Sequence, residues 1–482
     1  MPGRTGLRSA KSSLNNELLI HKTVRVTDPG PVVFKFGGTS LQGGPRILAS
    51  ARLVAAAEGT PVVVVSAMAG VTTELTRIAA LPSGTTRNEA LEALLDRHRD
   101  AARELLEEVG SAHPGSSVQA LDLEERIETI AEGLAAELGA ESDTRSRTDA
   151  LVARGEDLSA ALMTSALQRL GIPAREIDAR KVVRTDAGFG QAVPRDEVTV
   201  RLAWKHLFPL VSQGVVPVMQ GFIGADDEGR TTTLGRGGSD FTAAIVGAAL
   251  EVRQVTIWTD VDGIYSADPN RIPGARIIAE LGFEEAVELA YFGARVIHPA
   301  AAKHAVARGV SLRIRNSFNA EAPGTLIRSD RRESPGVAAL AYKPGTALIR
   351  VRSRPHFMAY GFLARVFEVL TRHGVPVDLV ATSHTSTAFT VDRGEELGAV
   401  EKALQEVAEV TVVDGLGTVS AIGRGLLETP GVTGEIFRVL GSTPIHLISQ
   451  ASDTSLSFLV SEAEGPDVVR RLHEVLVEGR DA

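Results

Sequence analysis

Three short stretches carry residues whose types and spacing suit phosphate and amino-acid chemistry. In "KFGGTS" (35–40), Lys35 is the last polar residue before two glycines. An ammonium there can reach phosphate oxygens, and the uncovered Gly37–Gly38 amides can approach the same oxygens. In "SAMAGVT" (66–72), small side chains leave room for a ligand that Thr72 can hydrogen-bond; a tight turn with no ligand fits the same residues. The third stretch is "GRTTTLGRGGSDFTAAI" (229–245), a loose polar run that turns apolar. Arg236 can grip a carboxylate with two parallel hydrogen bonds. Asp240 can hold an ammonium, and Gly235, Gly237 and Gly238 let the backbone come close. These groups together suit an α-amino acid beside a phosphate chain. "KFGGTS" is not a P-loop, because no Gly-Lys-Ser/Thr closes it, and the dinucleotide pattern G-x-G-x-x-G is absent there.

Other residues are weaker pointers. "WTDVDGIYSADPN" (258–270) offers polar groups and an aromatic after a strand, which suits a base and ribose, although Asp262-Gly263 also reads as a plain turn. Glu156 in "ARGEDLSA" reads as a solvent-facing residue early in a helix. His298 in "VIHPA" reads as a capping or core histidine.

The elements that must position these loops follow a strand–turn–helix rhythm. "PVVFKF" (31–36), "PVVVVS" (61–66), "GVVPVMQGFIG" and "VRQVTIWTDVDGIYS" are apolar, β-branched runs that feed polar loops. Residues 45–57 and 86–140 have helical periodicity, and "RTDALVARGEDLSAALMTSALQRLG" is a helix ending at Gly171. In a parallel sheet such loops gather at the carboxyl ends of the strands, where ligands bind. This α/β pattern covers residues 31–330. From 344 the pattern changes to an internal repeat. Gly361 and Gly431 open matching helices, and "VDLVATSHTSTAFTV" aligns with "IHLISQASDTSLSFLV". Each half, 344–415 and 416–480, reads as a ferredoxin-like α+β unit, with strands open to exchange between the two.

The chain has 482 residues, a formal net charge of −9 and no cysteine. Its length calls for two or three domains. The charge argues against a general nucleic-acid binder, and the missing thiols exclude disulfides and a cysteine nucleophile. No apolar run is long enough to span a membrane. Residues 1–30 are basic and serine-bearing, without the apolar core of a secretory signal. A disordered leader, a misassigned start or a transit peptide fits them. A cytoplasmic protein is the default expectation.

Taken together, "KFGGTS", "GEDLSAALM", "GFIGADDEGRTTTLGRGGSDFTAA", "WTDVDGIYSADP" and "FGARVIHPA" resemble the aspartate kinases of the amino-acid kinase family, in that family's order and spacing. The resemblance spans roughly residues 32–480, and the C-terminal repeat resembles paired ACT domains. It implies a mostly parallel sheet sandwiched by helices, followed by two ACT units. It implies phosphorylation of the L-aspartate side chain by ATP with Mg²⁺, and members that are monofunctional. By the family pattern, Lys35, Phe36, Gly37, Gly38, Thr259, Asp260, Tyr265, Arg295 and Val296 would meet the nucleotide. Arg236, with Gly237, Gly238 and Ser239, would hold the aspartate α-carboxylate. Asp240 and Glu156 would orient its α-amino group, and Thr72 would line its pocket. Asn270 and Arg295 depart from the usual arginine and lysine at their positions; Arg295 keeps the charge as a fork instead of a point.

The resemblance also implies an amino-acid effector around Gly361, Leu363, Asp378 and Ser383. Lysine ranks first, although His384 replaces the acidic residue of lysine-sensitive relatives; threonine, or no effector, stays open. A homodimer or larger assembly through the ACT units is expected. Two other readings remain: a non-catalytic amino-acid sensor, and a sister kinase acting on another acyl acceptor.

Overall fold

The computed structural model describes residues 31–109, 116–139, 144–292, 297–329, 336–353, 361–383, 385–394, 396–426 and 428–480. Among the described residues, ten strands precede residue 330: β1 (Val32–Phe36), β2 (Pro61–Val65), β3 (Ala174–Ile177), β4 (Val216–Gln220), β5 (Ile223–Ala225), β6 (Thr231–Thr233), β7 (Gln254–Thr259), β8 (Glu280–Gly282), β9 (Ser311–Asn316) and β10 (Thr325–Arg328). Eight of them form one sheet in the order β3-β4-β2-β1-β7-β9-β10-β8. Its pairs are parallel except β9 with β10, and β5 and β6 form a separate hairpin.

Alternation along the buried strands explains the layers. Val62 and Val64 join one hydrophobic core, whereas Val63 and Val65 join the core on the opposite face. A strand covered on both faces must be apolar throughout, as "PVVVV" is. The expected helical stretch 86–140 is two helices, Thr85–Val109 and Ser116–Gly139.

The C-terminal repeat contributes six strands: β11 (Ala339–Arg352), β12 (Val380–Thr382), β13 (Ser386–Asp392), β14 (Glu409–Ile422), β15 (Leu447–Ser452) and β16 (Ser455–Ser461). They form one antiparallel sheet, β12-β13-β11-β14-β16-β15. The matched helices Phe362–Arg372 and Val432–Leu440 are each preceded by a glycine at nearly the same positive φ, 92° at Gly361 and 90° at Gly431. β14 runs straight through the expected boundary at 415/416. Likewise β11 pairs through Ala339–Lys343 with the second unit's half of β14, and through Thr346–Arg352 with the first unit's half and with β13. The two units therefore share their long central strands. One face of this sheet packs on the N-terminal α/β domain: Leu348, Leu379 and Ile422 join the core that holds Phe283, Ala286 and Leu289 of the helix Phe283–Phe292.

Candidate active site

The carboxyl ends of β1, β2, β4 and β7 are stitched together by backbone hydrogen bonds. Gly37 donates to Trp258 O at 3.0 Å, Ser66 to Phe36 O at 3.1 Å, Ala69 to Gly38 O at 3.1 Å, and Gly221 to Val65 O at 2.8 Å. Small residues are obligatory here: a Cβ on Gly38 would lie 2.7 Å from Ala67 O. Two helices start over this junction, Val71–Ala80 after Gly70 and Gly238–Ala249 after Gly237. Gly237 has φ 71°, a left-handed conformation that favours glycine.

These loops enclose a cavity of about 290 Å³ lined by Lys35, Ser66, Ala67, Thr72, Glu156, Phe222, Arg236, Asp240 and the glycines between. Lys35 Nζ lies 2.6 Å from Asp240 Oδ1, and the two side chains are only 11% and 13% exposed. The first and third glycine-rich loops thus meet across β1, as convergence on one ligand requires. Such a pair is strongly bound to its geometry, because each charge would be costly to leave alone.

Glu156 overturns its sequence reading. It sits near the middle of the helix Thr144–Arg169, not early in it, and is 2% exposed. Burial pushes its carboxyl up to about 8, against a hydrogen bond from the Ala67 backbone that lowers it. One of its oxygens, Oε2, has no hydrogen-bond partner. A buried, unpartnered carboxylate oxygen in a cavity wall is an acceptor suited to a ligand's ammonium. Gly155 lets this helix press onto the second loop, since a Cβ there would lie 2.8 Å from Val71 Cγ1 and 2.9 Å from Ala67 Cβ. We expect Gly155→Val to lower stability by about 1–3 kcal/mol through overpacking, measured by urea unfolding, and to raise KM for the substrate by displacing Ala67.

The residues expected at the nucleotide fall into two places. Thr259 ends β7 and Asp260 follows it beside the first loop, where Thr259 O accepts from Ser317 N at 2.8 Å and Ser317 Oγ meets Ser40 Oγ at 2.7 Å. Phe36 stacks on Trp258, with ring planes 5° apart. Tyr265 instead lines a second cavity of about 330 Å³, with Arg271, Leu340 and Tyr342. Arg295 and Val296 lie outside the described residues. Asn270 is exposed and bonds to Asp268. Of the residues placed around an effector, Asp378 is engaged through its side chain, 2.6 Å from both Lys343 and Tyr291. Ser383 bonds to Ser386, and Gly361 and Leu363 are exposed; His384 is outside the described residues.

Phe222 is a site residue that the sequence reading does not single out. It lines the cavity with φ 68°, a backbone conformation rare for a bulky side chain. Its setting between two glycines in "QGFIG" was the available signal. His298 caps its helix through its carbonyl, which accepts from Ala301 N at 3.0 Å, while its ring packs against Gly237. Burial lowers its pKa, with Asp240 opposing and Arg236 adding to that shift.

A model of the amino acid kinase family matches residues 30–316, and one of the ACT domain matches residues 419–476. The chain is 38% identical over 458 residues to lysine-sensitive aspartokinase 3 of Escherichia coli K12, covering 93% of this chain and 99% of that one. The chain belongs to the aspartokinases of the amino acid kinase family. The aspartokinase structure is similar to that of E. coli aspartokinase III in complex with aspartate and ADP, with a TM-score of 0.77, 36% identity and coverage of 92% and 99% of the two chains. It is similar also to the complex of that enzyme with lysine and aspartate, with a TM-score of 0.79, 37% identity and the same coverage. As an aspartokinase, the chain is a phosphotransferase with a carboxyl group as acceptor.

Proposed function

We propose that this aspartokinase transfers the γ-phosphoryl group of ATP to the side-chain carboxylate of L-aspartate, giving ADP and 4-phospho-L-aspartate. The observation that carries this reading is the cavity in which the Lys35–Asp240 pair, Arg236, Thr72 and the unpartnered Glu156 oxygen share one wall. A carboxylate is already ionised at neutral pH, so its attack on phosphorus needs no general base. One carboxylate oxygen forms the new P–O bond while the bond to the ADP oxygen breaks, and no proton moves. Catalysis then rests on alignment and on neutralising charge.

In this scheme Lys35 and the Gly37–Gly38 amides meet the phosphates, with Thr259 and Asp260 toward the nucleoside. Arg236 and the amides of Gly237, Gly238 and Ser239 take the α-carboxylate. Glu156 and the second oxygen of Asp240 take the α-ammonium, and Thr72 closes the pocket. Asp240 also holds Lys35 in place before ligands arrive. Mg²⁺ is expected to enter on the nucleotide, since among the described residues no three His, Asp or Glu side chains converge as a metal cage; there it neutralises phosphate charge.

The product feeds the aspartate pathway to lysine, threonine and methionine. The C-terminal repeat serves as the amino-acid sensor, with lysine as first candidate because the relative of highest identity named here is lysine-sensitive, and threonine second. Assembly runs through the ACT units, at least to a homodimer, in the cytoplasm. Among the described residues no helix is long and apolar enough to cross a membrane. Aspartate-dependent ADP release, titrated with lysine, threonine and methionine, tests the scheme. We expect turnover with aspartate and inhibition by lysine; no turnover would reject the site, and indifference to all three amino acids would reject the sensor.

A further inference from the structure

We propose that Lys343 is a tethered competitor for the effector ammonium at Asp378, and that Tyr291 carries the outcome of that competition into the catalytic domain. This rests on the reading of the C-terminal repeat as an amino-acid sensor.

Asp378 is the one acidic residue among the positions expected around the effector, and its side chain is only 6% exposed. Both of its oxygens are taken. Lys343 Nζ lies 2.6 Å from Oδ2, and the Tyr291 hydroxyl donates to Oδ1 at 2.6 Å. A second ammonium cannot settle on this carboxylate beside the first, because like charges in a half-buried site repel strongly. An arriving amino acid must therefore displace Lys343. The displaced side chain has somewhere to go: its Nζ already lies 2.6 Å from Asp392 Oδ1, whose side chain is 58% exposed. Lys343 thus bridges two carboxylates and can keep Asp392 as its seat when it gives up Asp378. In the second unit the position aligned with Asp378 is His446, so the arrangement exists in the first unit alone.

Tyr291 supplies the link. Its helix, Phe283–Phe292, lies between the catalytic sheet and the C-terminal sheet. Three residues one turn apart tie it to the repeat: Glu285 accepts from Arg424 N at 2.9 Å, Glu288 accepts from Ser452 Oγ at 3.0 Å, and Tyr291 donates to Asp378. The third of these ties shares its carboxylate with Lys343. Further along the chain, His298 packs on Gly237 at the substrate cavity. An ammonium exchanged at Asp378 therefore acts on the anchor of the helix that packs between the two sheets.

Calorimetric titration of the full-length protein with L-lysine and with L-threonine tests this, alongside ADP release for each variant relative to its own activity without amino acid. Lys343→Gln should tighten binding of the effector about tenfold, as removal of a competing state does, and Lys343→Arg should leave it within about threefold of wild type, since the competing cation is kept. Asp392→Asn removes the alternative seat at an exposed position and should weaken binding about tenfold. Tyr291→Phe should bind the effector and lose most of the inhibition. Unchanged affinity in both Lys343→Gln and Asp392→Asn, with wild type binding normally, would overturn the competitor and leave the sensor standing. Full inhibition in Tyr291→Phe would overturn the link. Binding of neither amino acid to wild type or to Lys343→Gln would remove both the sensor and this inference.

Discussion

Asp240→Asn should lower kcat/KM for aspartate by about 150- to 5000-fold, the scale of breaking a buried ion pair by removing one partner, roughly 3–5 kcal/mol. The asparagine is nearly isosteric, so the fold keeps its shape while Lys35 loses its counter-charge at 2.6 Å. Lys35→Ala should fall at least as far, because it removes the cation that meets the phosphates as well. The two changes should not add: Asp240→Asn in a Lys35→Ala background should have little further effect, as expected when two groups act as one unit. Steady-state ADP release gives the rates, and urea unfolding of the same variants separates loss of chemistry from loss of fold. Additive losses would show that the pair does not act together.

Glu156→Gln should raise KM for aspartate about 100-fold with a smaller change in kcat, the loss expected for one hydrogen-bonded contact to a charged group. The pH dependence is the sharper test. Burial holds the Glu156 carboxyl at about 8 in the ligand-free protein, so near neutrality binding of the substrate's ammonium must release a proton from it to solvent. KM for aspartate should therefore fall as pH rises from about 6.5 to 8.5 and level off above, and in Glu156→Gln this slope should vanish. Stability runs the other way. A carboxyl whose folded value stands above its ordinary 4.5 supports the fold fully below about pH 4.5. That contribution is lost as pH rises through 8. The ligand-free wild type should lose stability across this window relative to Glu156→Gln, and added aspartate should restore it. A flat KM profile in wild type would show that Glu156 does not meet the ammonium.

Much of the architecture was readable from "PVVFKF" and "PVVVVS", because strands covered on both faces must be apolar throughout, and the polar loops after them mark carboxyl ends. The meeting of Lys35 with the 235–240 loop was legible only from residue types, because that loop follows the separate β5–β6 hairpin and not a strand beside β1. Glu156 was not. Its helix is enclosed by other elements, with buried residues around most of its circumference, so no polar face exposes the exception, and a buried glutamate looks like a surface one. The expected boundary at 415/416 falls inside β14, which the two units share, where the pairing of β11 shifts register between Lys343 and Leu348. Phe222 in a left-handed conformation and the contact of His298 with Gly237 depend on tertiary packing and leave little trace in spacing. The partnership of Lys343 with Asp378 joins residues far apart in sequence whose types alone suggest no pair.

The central claim is that the cavity recognises its acceptor by both α-groups and so presents the side-chain carboxylate to the phosphoryl group. It is tested most directly by ADP release from wild type with L-aspartate against succinate, which keeps both carboxylates and lacks the ammonium. The account predicts turnover with aspartate and a kcat/KM at least about 1000-fold lower with succinate, because Glu156 and Asp240 are then left without their cation. Comparable turnover of the two acids would contradict it.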